Sequence, residues 1–213
     1  DCFQTKINQN AAWWTYHPIV TSNLLNYQKQ ALFPFVQITE QYQSIMKKNL
    51  AFDFSIDRES NTIEIKKEYA ADQKLVWEAW TTQEWLDKWW GPQPWHVETK
   101  TLDFIPNGIW HYAMVGPEGE KHWSLSQFIS IDVPNAFIQK GGFCNEEGIM
   151  NPDLPQSTWE VTFTPVDEHT LVDCKLTYDT AEDLGVFLQM GFQEGITICL
   201  KQLDNLLEQK TST

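Results

Sequence analysis

Two histidines lie close together in the sequence, and imidazole is a common side chain for proton transfer and for zinc binding near neutral pH. His111 and His122 fall on two predicted strands joined by the tight turn Gly116–Gly119. A turn centred between Pro117 and Glu118 places both histidines on one face of the sheet, the solvent face. No carboxylate follows at a spacing that would supply a third ligand. The pair therefore predicts neither a metal site nor a catalytic dyad.

Two acidic residues, Asp103 and Glu160, lie in predicted strands beside apolar neighbours. A carboxylate there could act as a general acid or base only if it faced a pocket, and we expect both to face solvent. The chain contains no GxSxG, HExxH, P-loop or dinucleotide-binding pattern. Gly141-Gly142 is interpreted as a bulge or bend in a strand. We therefore predict no catalytic residue and no cofactor, and a function without dedicated catalysis.

The aromatic residues are concentrated in one stretch, Ala70–Trp95, which contains six of the eleven tryptophans. Asp72 can cap a helix that carries apolar residues at helical spacing. Thr81 and Glu84 have the spacing of a capping box, which predicts a second short helix. Gly91-Pro92 should end that helix, with Gly91 as a left-handed cap. So much indole forms either a solid core or the wall of a pocket, and the sequence leaves both open.

The chain is acidic, with a formal net charge of −14 over 213 residues. The few charged residues before Met46 cancel, so the whole excess lies on Met46–Thr213. A surface of this sign repels nucleic acid and anionic membranes, and it keeps a protein soluble. We therefore expect neither nucleic acid nor a membrane as a partner.

The four cysteines are far apart, without a CxxC pair or zinc spacing. Cys174 and Cys199 lie in apolar periodic stretches and are predicted to be buried thiols. A reducing, cytoplasmic location fits this usage best. The longest apolar run before Met46 is Ala31–Val36, which is too short for a membrane span or a signal peptide.

Alternating apolar and polar residues predict strands along most of the chain. Leu50–Ile56 and Thr62–Tyr69 form a predicted hairpin, and six more strands follow between His96 and Tyr178. The strand after Trp95 needs a bulge to bury its apolar residues. A turn centred between Pro117 and Glu118 also places Tyr112 opposite Trp123 and Trp110 opposite Leu125. Each such cross-strand pair should add about 0.2–1 kcal/mol to the stability of the sheet.

A long helix is predicted at the end of the chain, over residues 182–208. An apolar stripe at helical spacing runs along it from Phe192 to Leu207. Gly191 and Gly195 lie in this stripe, and a kink near Gly191 is expected.

The first 45 residues have a different character. Asp1–Ile45 is rich in Gln, Asn and Thr, has scattered aromatic residues and shows no sustained period. Met46-Lys47-Lys48 resembles a bacterial start. We interpret residues 1–45 as a non-native leader or a weakly ordered extension, and residues 46–213 as the folded domain.

The order of elements and several motifs resemble the START-like (SRPBCC) superfamily, whose members have the helix-grip fold. The resemblance is carried by VWEAWTTQEWLDKWWGP, the AMVGPEGEKHW hairpin, STWEVTF and the final GFQEG…LKQLDNLLE helix. It is strongest to the branch homologous to the activator of the ninety-kilodalton heat-shock chaperone's ATPase, and it covers about Lys47–Gln209. It implies an α+β fold in which a curved antiparallel sheet wraps around the long C-terminal helix, with the two short helices closing one end.

The resemblance also implies a cavity between the sheet and the C-terminal helix. Apolar and aromatic residues on the inward phase should line it and bind the ligand: Trp80, Trp89, Trp90, Trp110, Tyr112, Met114, Trp123, Leu125, Trp159, Phe163, Tyr178, Phe187, Met190 and Phe192.

We therefore expect a monomer or homodimer that binds a small hydrophobic or aromatic molecule. Two alternatives remain open. The first is an interaction module with a chaperone as partner, as the co-chaperone resemblance implies. The second is an enzyme of the cyclase or aromatase kind, which would need a polar residue with a shifted pKa deep in the cavity.

Overall fold

The computed structural model describes residues 51–211, which form one eight-stranded sheet and four helices. The predicted leader therefore lies outside the described residues. The strands are β1 Phe52–Asp57, β2 Thr62–Tyr69, β3 His96–Leu102, β4 Ile109–Val115, β5 Lys121–Asp132, β6 Ala136–Cys144, β7 Gln156–Val166 and β8 His169–Tyr178. The helices are α1 Gln73–Thr81, α2 Gln83–Trp89, α3 Ala181–Gln189 and α4 Phe192–Thr211.

All strands pair antiparallel in the order β1-β2-β8-β7-β6-β5-β4-β3. Strands β3 to β8 form a continuous meander, and the β1–β2 hairpin joins it through the β2–β8 pair. The short helices α1 and α2 lie in the chain between β2 and β3, which are far apart in the sheet. This architecture confirms the predicted α+β helix-grip fold. The bulge expected in β3 is also present, between Thr99 and Thr101.

The short helix α1 begins as predicted, because Asp72 Oδ1 accepts a 2.9 Å hydrogen bond from the backbone N–H of Leu75. The predicted capping box of α2 is wrong. Thr82 occupies the N-cap position without a side-chain cap, since its hydroxyl donates back to the carbonyl of Glu78 at 2.9 Å. Thr81 donates in the same way to Trp77 at 2.7 Å. Both hydroxyls therefore extend α1 instead of starting α2.

The predicted left-handed cap at Gly91 is also wrong, because Gly91 is not among the residues with positive φ. Because Gly91 has no side chain, the backbone after α2 can pass close to the backbone at the start of β3. A Cβ atom at Gly91 would lie 2.6 Å from the Cα of His96, where β3 begins. Glycine lets α2 turn directly into β3 at this point.

The register of the β4–β5 hairpin differs from the prediction by one residue. Gly116 N–H donates to Glu120 O at 2.9 Å, so the loop has three residues, with Gly119 in the left-handed conformation at φ 85°. Strand pairing places Ala113 opposite Trp123. An odd loop reverses the face of every residue on β5 relative to the prediction. Trp123 and Leu125 therefore lie on the opposite face from Trp110 and Tyr112.

The C-terminal helix is interrupted where the kink was expected. Helix α3 ends at Gln189, and Gly191 has a φ of 83° before α4 begins. The apolar stripe of α4 is buried as predicted, through Ile196, Cys199, Leu200, Leu203 and Leu207. The thiol of Cys174 on β8 is buried as well, so the sheet closes over this stripe.

Candidate functional site

A small cavity lies beneath the short helices, and its wall is almost entirely aromatic. The space open to the centre of a water-sized sphere is about 10 Å³. That is roughly the room needed for one water molecule. Nine residues line it: Trp80, Leu86, Trp90, Trp110, Phe128, Phe137, Gln139, Trp159 and Val161.

The cavity is formed by two layers. Helix α1 contributes Trp80, and α2 with its C-cap contributes Leu86 and Trp90. The other six lining residues come from strands β4 to β7. No residue of α4 lines this cavity, although the sequence predicted one between the sheet and the C-terminal helix. The stripe of α4 packs directly into the core, so the remaining space lies beneath α1 and α2.

The structure brings together four of the predicted binding residues at this cavity, namely Trp80, Trp90, Trp110 and Trp159. Four more are buried in the same core without lining the space: Trp89, Tyr112, Phe163 and Tyr178. Their role in binding a ligand stays a prediction.

The other predicted residues lie around this core or outside it. Phe187 packs against Tyr178 and against Phe192, with ring centroids 5.3 Å and 4.5 Å apart. Phe192 in turn contacts the cavity residue Trp159 at 5.9 Å. Met114 is half-buried on β4. Met190 is 51% exposed at the end of α3. Trp123 and Leu125 lie on the outer face of the sheet, where the Trp123 ring contacts His111 at 5.0 Å.

Five lining residues are absent from the predicted binding set: Leu86, Phe128, Phe137, Gln139 and Val161. Gln139 lies directly opposite Phe128 on β5 and opposite Trp159 on β7. Alternation along β6, where Phe137 and Gln139 are two residues apart, could have placed both on one face. The inward face of β6 was not identifiable without its register to β7.

Hydrogen bonds hold three of the four cavity indoles in place. Trp90 Nε1 donates to the Tyr112 hydroxyl at 2.9 Å. Trp110 Nε1 donates to Thr99 Oγ1 at 3.1 Å, and Trp159 Nε1 donates to Ser157 Oγ at 3.0 Å. Each of these rings therefore has a fixed orientation.

Trp80 is the exception among the cavity indoles. Its Nε1 atom is buried beside the Tyr69 hydroxyl and has no partner in hydrogen-bond geometry within residues 51–211. Its ring packs against Trp89 at 4.9 Å and against Phe163 at 6.0 Å. A buried donor without a partner costs about 1–3 kcal/mol of stability.

Gln139 is the one polar residue in the lining. It is only 5% exposed, and its side-chain amide makes no hydrogen bond within the described part of the chain. Gln202 on α4 provides a contrast, because its amide bonds to the carbonyls of Trp89 and Gly91 at 3.0 and 2.8 Å. An amide that borders an apolar cavity without a partner is unusual in a folded core.

The C-terminal helix anchors the end of α2 to the core. Gln202 makes the two bonds just described and also accepts from the backbone N–H of Gln93 at 3.0 Å. Cys199 Sγ donates to the Trp90 carbonyl at 3.0 Å. Burial raises the pKa of this thiol to about 12, so it stays protonated and able to donate. The Trp90 end of the helix pair is therefore tightly fixed.

The cavity wall is uncharged, and the buried tyrosines behind it are neutral at physiological pH. None of the nine lining residues carries a titratable side chain. Behind them, burial raises the pKa of Tyr112 to about 12. Burial also raises the pKa of Tyr69 well above its ordinary range. The cavity wall can therefore offer apolar contacts and uncharged hydrogen bonds, with no general acid or base.

The two histidines of the hairpin do not share a face, which corrects the prediction. His111 is buried on the outer side, where its Nε2–H donates to the Asn145 carbonyl at 3.2 Å. His122 lies opposite Met114 and is exposed. Asp103 and Glu160 are both exposed, as predicted. Within the described residues, no group of three or more His, Cys, Asp or Glu side chains could hold a metal ion.

The sequence matches the family described as "Activator of Hsp90 ATPase homolog 1-like protein" over residues 70–208. That range contains α1 and α2, the strands of the cavity and most of α4. The chain belongs to this family. Its membership confirms the START-like resemblance, and the family's fold is the one that forms the cavity.

Solved structures of similar proteins agree with this assignment. A protein from Mycobacterium smegmatis is 34% identical, with a TM-score of 0.69, over 74% of this chain and 96% of that chain. A protein from Arthrobacter aurescens is 29% identical, with a TM-score of 0.70, over 74% and 91% of the two chains. No curated protein matches the sequence. No helix within residues 51–211 has both the length and the apolar character needed to cross a membrane.

Proposed function

We propose that this domain binds a small hydrophobic or aromatic molecule in the cavity beneath α1 and α2. The observation that carries the proposal is the cavity wall, in which four indoles, two phenyl rings and two aliphatic side chains surround a single amide. Ligand pockets typically combine such apolar walls with very few polar groups. Members of the START-like superfamily commonly bind hydrophobic ligands, and this chain has their fold.

The size of the cavity sets a condition on binding. Pockets for small molecules usually measure about 300–1,000 Å³, whereas this one offers room for about one water molecule. A ligand can therefore enter only if part of the wall moves. In the empty protein the lining side chains fill most of the space. Some of them must be displaced for a ligand to enter, and they then cover the bound ligand.

The movable part of the wall is its helical side away from Trp90, formed by Trp80 of α1 and Leu86 of α2. Trp90, Trp110 and Trp159 are tied by hydrogen bonds to the sheet. Trp80 and Leu86 contact the cavity without any side-chain hydrogen bond in the described structure. Displacing these two side chains breaks only apolar contacts, which the ligand itself replaces. The lid therefore opens at Trp80 and Leu86.

Thermal unfolding and tryptophan fluorescence across a panel of aromatic and lipid-like molecules test this proposal. A ligand at about 100 times its Kd stabilises the folded state by about 2.7 kcal/mol. For a domain of this size that corresponds to a rise in Tm of roughly 5–10 °C. If neither Tm nor fluorescence changes across the panel, the domain has no such function.

Two variants separate cavity binding from binding elsewhere. Val161→Leu adds a methylene to the sheet side of the cavity and should weaken binding by about tenfold. Trp123→Phe changes an aromatic residue on the outer face and should leave the affinity unaltered. Equal effects of the two substitutions would place the ligand outside the cavity.

A second candidate function is docking to a chaperone, and one surface feature favours it. Ile105 and Ile129 are more than half exposed, and a 2.8 Å hydrogen bond from Asn107 N to Phe128 O holds their chain segments side by side. Exposed aliphatic residues of this kind can form protein contacts. Calorimetric titration with a purified ninety-kilodalton heat-shock chaperone tests this role. Ile105→Ser with Ile129→Ser should abolish any heat of binding, and unchanged binding would exclude this surface.

The remaining expectations belong to this proposal as well. The acidic charge, the buried thiols and the absence of ionisable groups from the cavity wall support a cytoplasmic binding protein, monomeric or homodimeric, that acts without catalysis. The cyclase or aromatase alternative lacks support, since no titratable side chain lines the cavity.

A further inference from the structure

The amide of Gln139 is placed as a recognition group. It lies on the inward face of β6, between Phe128 on one neighbouring strand and Trp159 on the other. All other lining side chains are apolar or aromatic. A leucine or methionine at this position would fill the same space without burying a polar group. Within residues 51–211 the fully buried side-chain polar atoms without a partner belong to Tyr69, Trp80 and Tyr178, so the Gln139 amide keeps some accessible surface. The amide is therefore open to the cavity, which points to a role other than packing.

A second unpaired group borders the same space. The indole N–H of Trp80 is buried beside the Tyr69 hydroxyl, but the two groups do not meet in hydrogen-bond geometry within residues 51–211. The other three cavity indoles all donate to groups of the protein. The wall thus holds the two donors and one acceptor of an amide, and the single donor of an indole that only the Tyr69 hydroxyl approaches.

We propose that Gln139 and Trp80 select ligands that carry one uncharged hydrogen-bonding group, a hydroxyl or a carbonyl, on an apolar or aromatic body. This rests on the proposed function and specifies its substrate class. A hydroxyl can accept from the Trp80 indole and donate to the Gln139 carbonyl oxygen, and a carbonyl can accept from both donors.

Charged ligands do not fit this wall. No Lys, Arg, Asp or Glu side chain lines the cavity. A carboxylate or an ammonium group would lose its hydration without gaining an opposite charge. The protein's net charge of −14 further disfavours anions. The polar group of the ligand is therefore neutral.

Phenol and toluene form a matched pair of probes, since they differ by one hydroxyl in place of a methyl group. Their dissociation constants are measured by calorimetry and by Tm shift with the wild-type domain and with Gln139→Leu. We expect the substitution to weaken phenol binding relative to toluene by about tenfold, the value of one buried hydrogen bond. Gln127→Leu, at an exposed position on β5, is the control and should leave the ratio unchanged.

The stability of the empty protein provides an independent readout. Gln139→Leu should raise the Tm, because it removes a buried amide that has no partner. Gln202→Leu should lower it, because that amide makes three hydrogen bonds. If Gln139→Leu lowers the Tm, the amide has a structural role and the proposal is wrong.

The outcomes distinguish this inference from the proposed function. If phenol and toluene both bind but Gln139→Leu does not alter their ratio, the cavity is a binding site and the selection by Gln139 is refuted. If neither probe binds, nor the larger pair 1-naphthol and 1-methylnaphthalene, the cavity is not a site for aromatic molecules, and both proposals fail.

Discussion

The indole N–H of Trp90 donates a 2.9 Å hydrogen bond to the hydroxyl of Tyr112. This bond joins the end of α2 to the middle of β4, and both of its groups are buried. The Tyr112 ring also stacks on Trp110, with centroids 4.1 Å apart. One side of the aromatic wall is therefore fastened to the sheet, which leaves the Trp80 side as the part that can open.

Tyr112→Phe should lower the free energy of unfolding by about 1–3 kcal/mol, because it leaves the Trp90 N–H buried without an acceptor. Tyr178→Phe is the matched control. The Tyr178 hydroxyl is buried beside Ser157 without meeting it in hydrogen-bond geometry within the described residues, so its removal should cost less than that of the Tyr112 hydroxyl. Urea denaturation of both variants measures the difference. Equal losses would show that the Trp90 bond contributes nothing specific.

Alkaline titration should reveal the buried tyrosines. Burial raises the pKa of Tyr69, Tyr112 and Tyr178, and that of Tyr112 to about 12. A raised pKa in the folded state means that the neutral form is favoured by folding. The contribution of these tyrosines to the free energy of unfolding is therefore fully present below pH 10. It is lost as the pH rises from 10 towards 12, by about 1.4 kcal/mol per pH unit for Tyr112.

Absorbance at 295 nm measures this titration directly. Of the six tyrosines in the chain, these three should stay protonated at pH 11 and ionise together when the protein unfolds. In denaturant all six should titrate near their ordinary pKa of about 10. A smooth titration of all six near pH 10 in the folded protein would contradict the burial of these hydroxyls.

Gly191 and Gly185 should respond in opposite directions to alanine. Neither glycine has an atom within 4 Å of the position a Cβ would take, so only the backbone conformation differs. Gly191 has a φ of 83°, where alanine is strained, and Gly191→Ala should cost about 1 kcal/mol. Gly185 lies within α3, so Gly185→Ala should raise the free energy of unfolding by about 0.5–1 kcal/mol. Thermal unfolding of the two variants measures these changes in stability. If Gly191→Ala stabilised the protein, the left-handed break between α3 and α4 would be excluded.

The ion pair between Lys67 and Asp204 should contribute more to stability than the more exposed pair between Lys66 and Asp173. Lys67 Nζ lies 3.0 Å from Asp204 Oδ2, with side chains 11% and 29% exposed. Burial raises the pKa of Asp204 even though Lys67 opposes the shift. Asp204→Ala leaves Lys67 without its partner and should cost about 2 kcal/mol in urea denaturation at pH 7.

Asp173→Ala is the control for that substitution. Asp173 pairs with Lys66 at 3.6 Å, and the two side chains are 35% and 44% exposed. Its loss should cost less than about 1 kcal/mol. The double substitution Lys67→Met with Asp204→Leu removes both charges and should recover most of the stability. A double variant as unstable as Asp204→Ala would mean that the loss comes from packing.

The cavity could be predicted only in part, and the β4–β5 hairpin shows why. The sequence places a turn at Gly116–Gly119, but it does not say whether two or three residues form the loop. The hydrogen bond from the Gly116 N–H to the Glu120 carbonyl shows that the loop has three residues, with Gly119 in the left-handed conformation. That single residue reverses the face of Trp123. Trp110 and Trp159 do line the cavity, because their phase did not depend on this loop, and their role in binding stays a prediction.

The sequence by itself determined the elements of this protein, since periodicity and turn residues act over a few neighbouring positions. Strand alternation, the cap at Asp72 and the stripe of α4 are local patterns, and the family motifs combine them into one fold. The tertiary structure alone decided where the remaining space lies. Gln139 meets Phe128 and Trp159 only through strand pairing. The bonds from Trp90 to Tyr112 and from Trp110 to Thr99 likewise join different elements, so their geometry depends on how the whole core packs, whereas Trp159 bonds locally to Ser157.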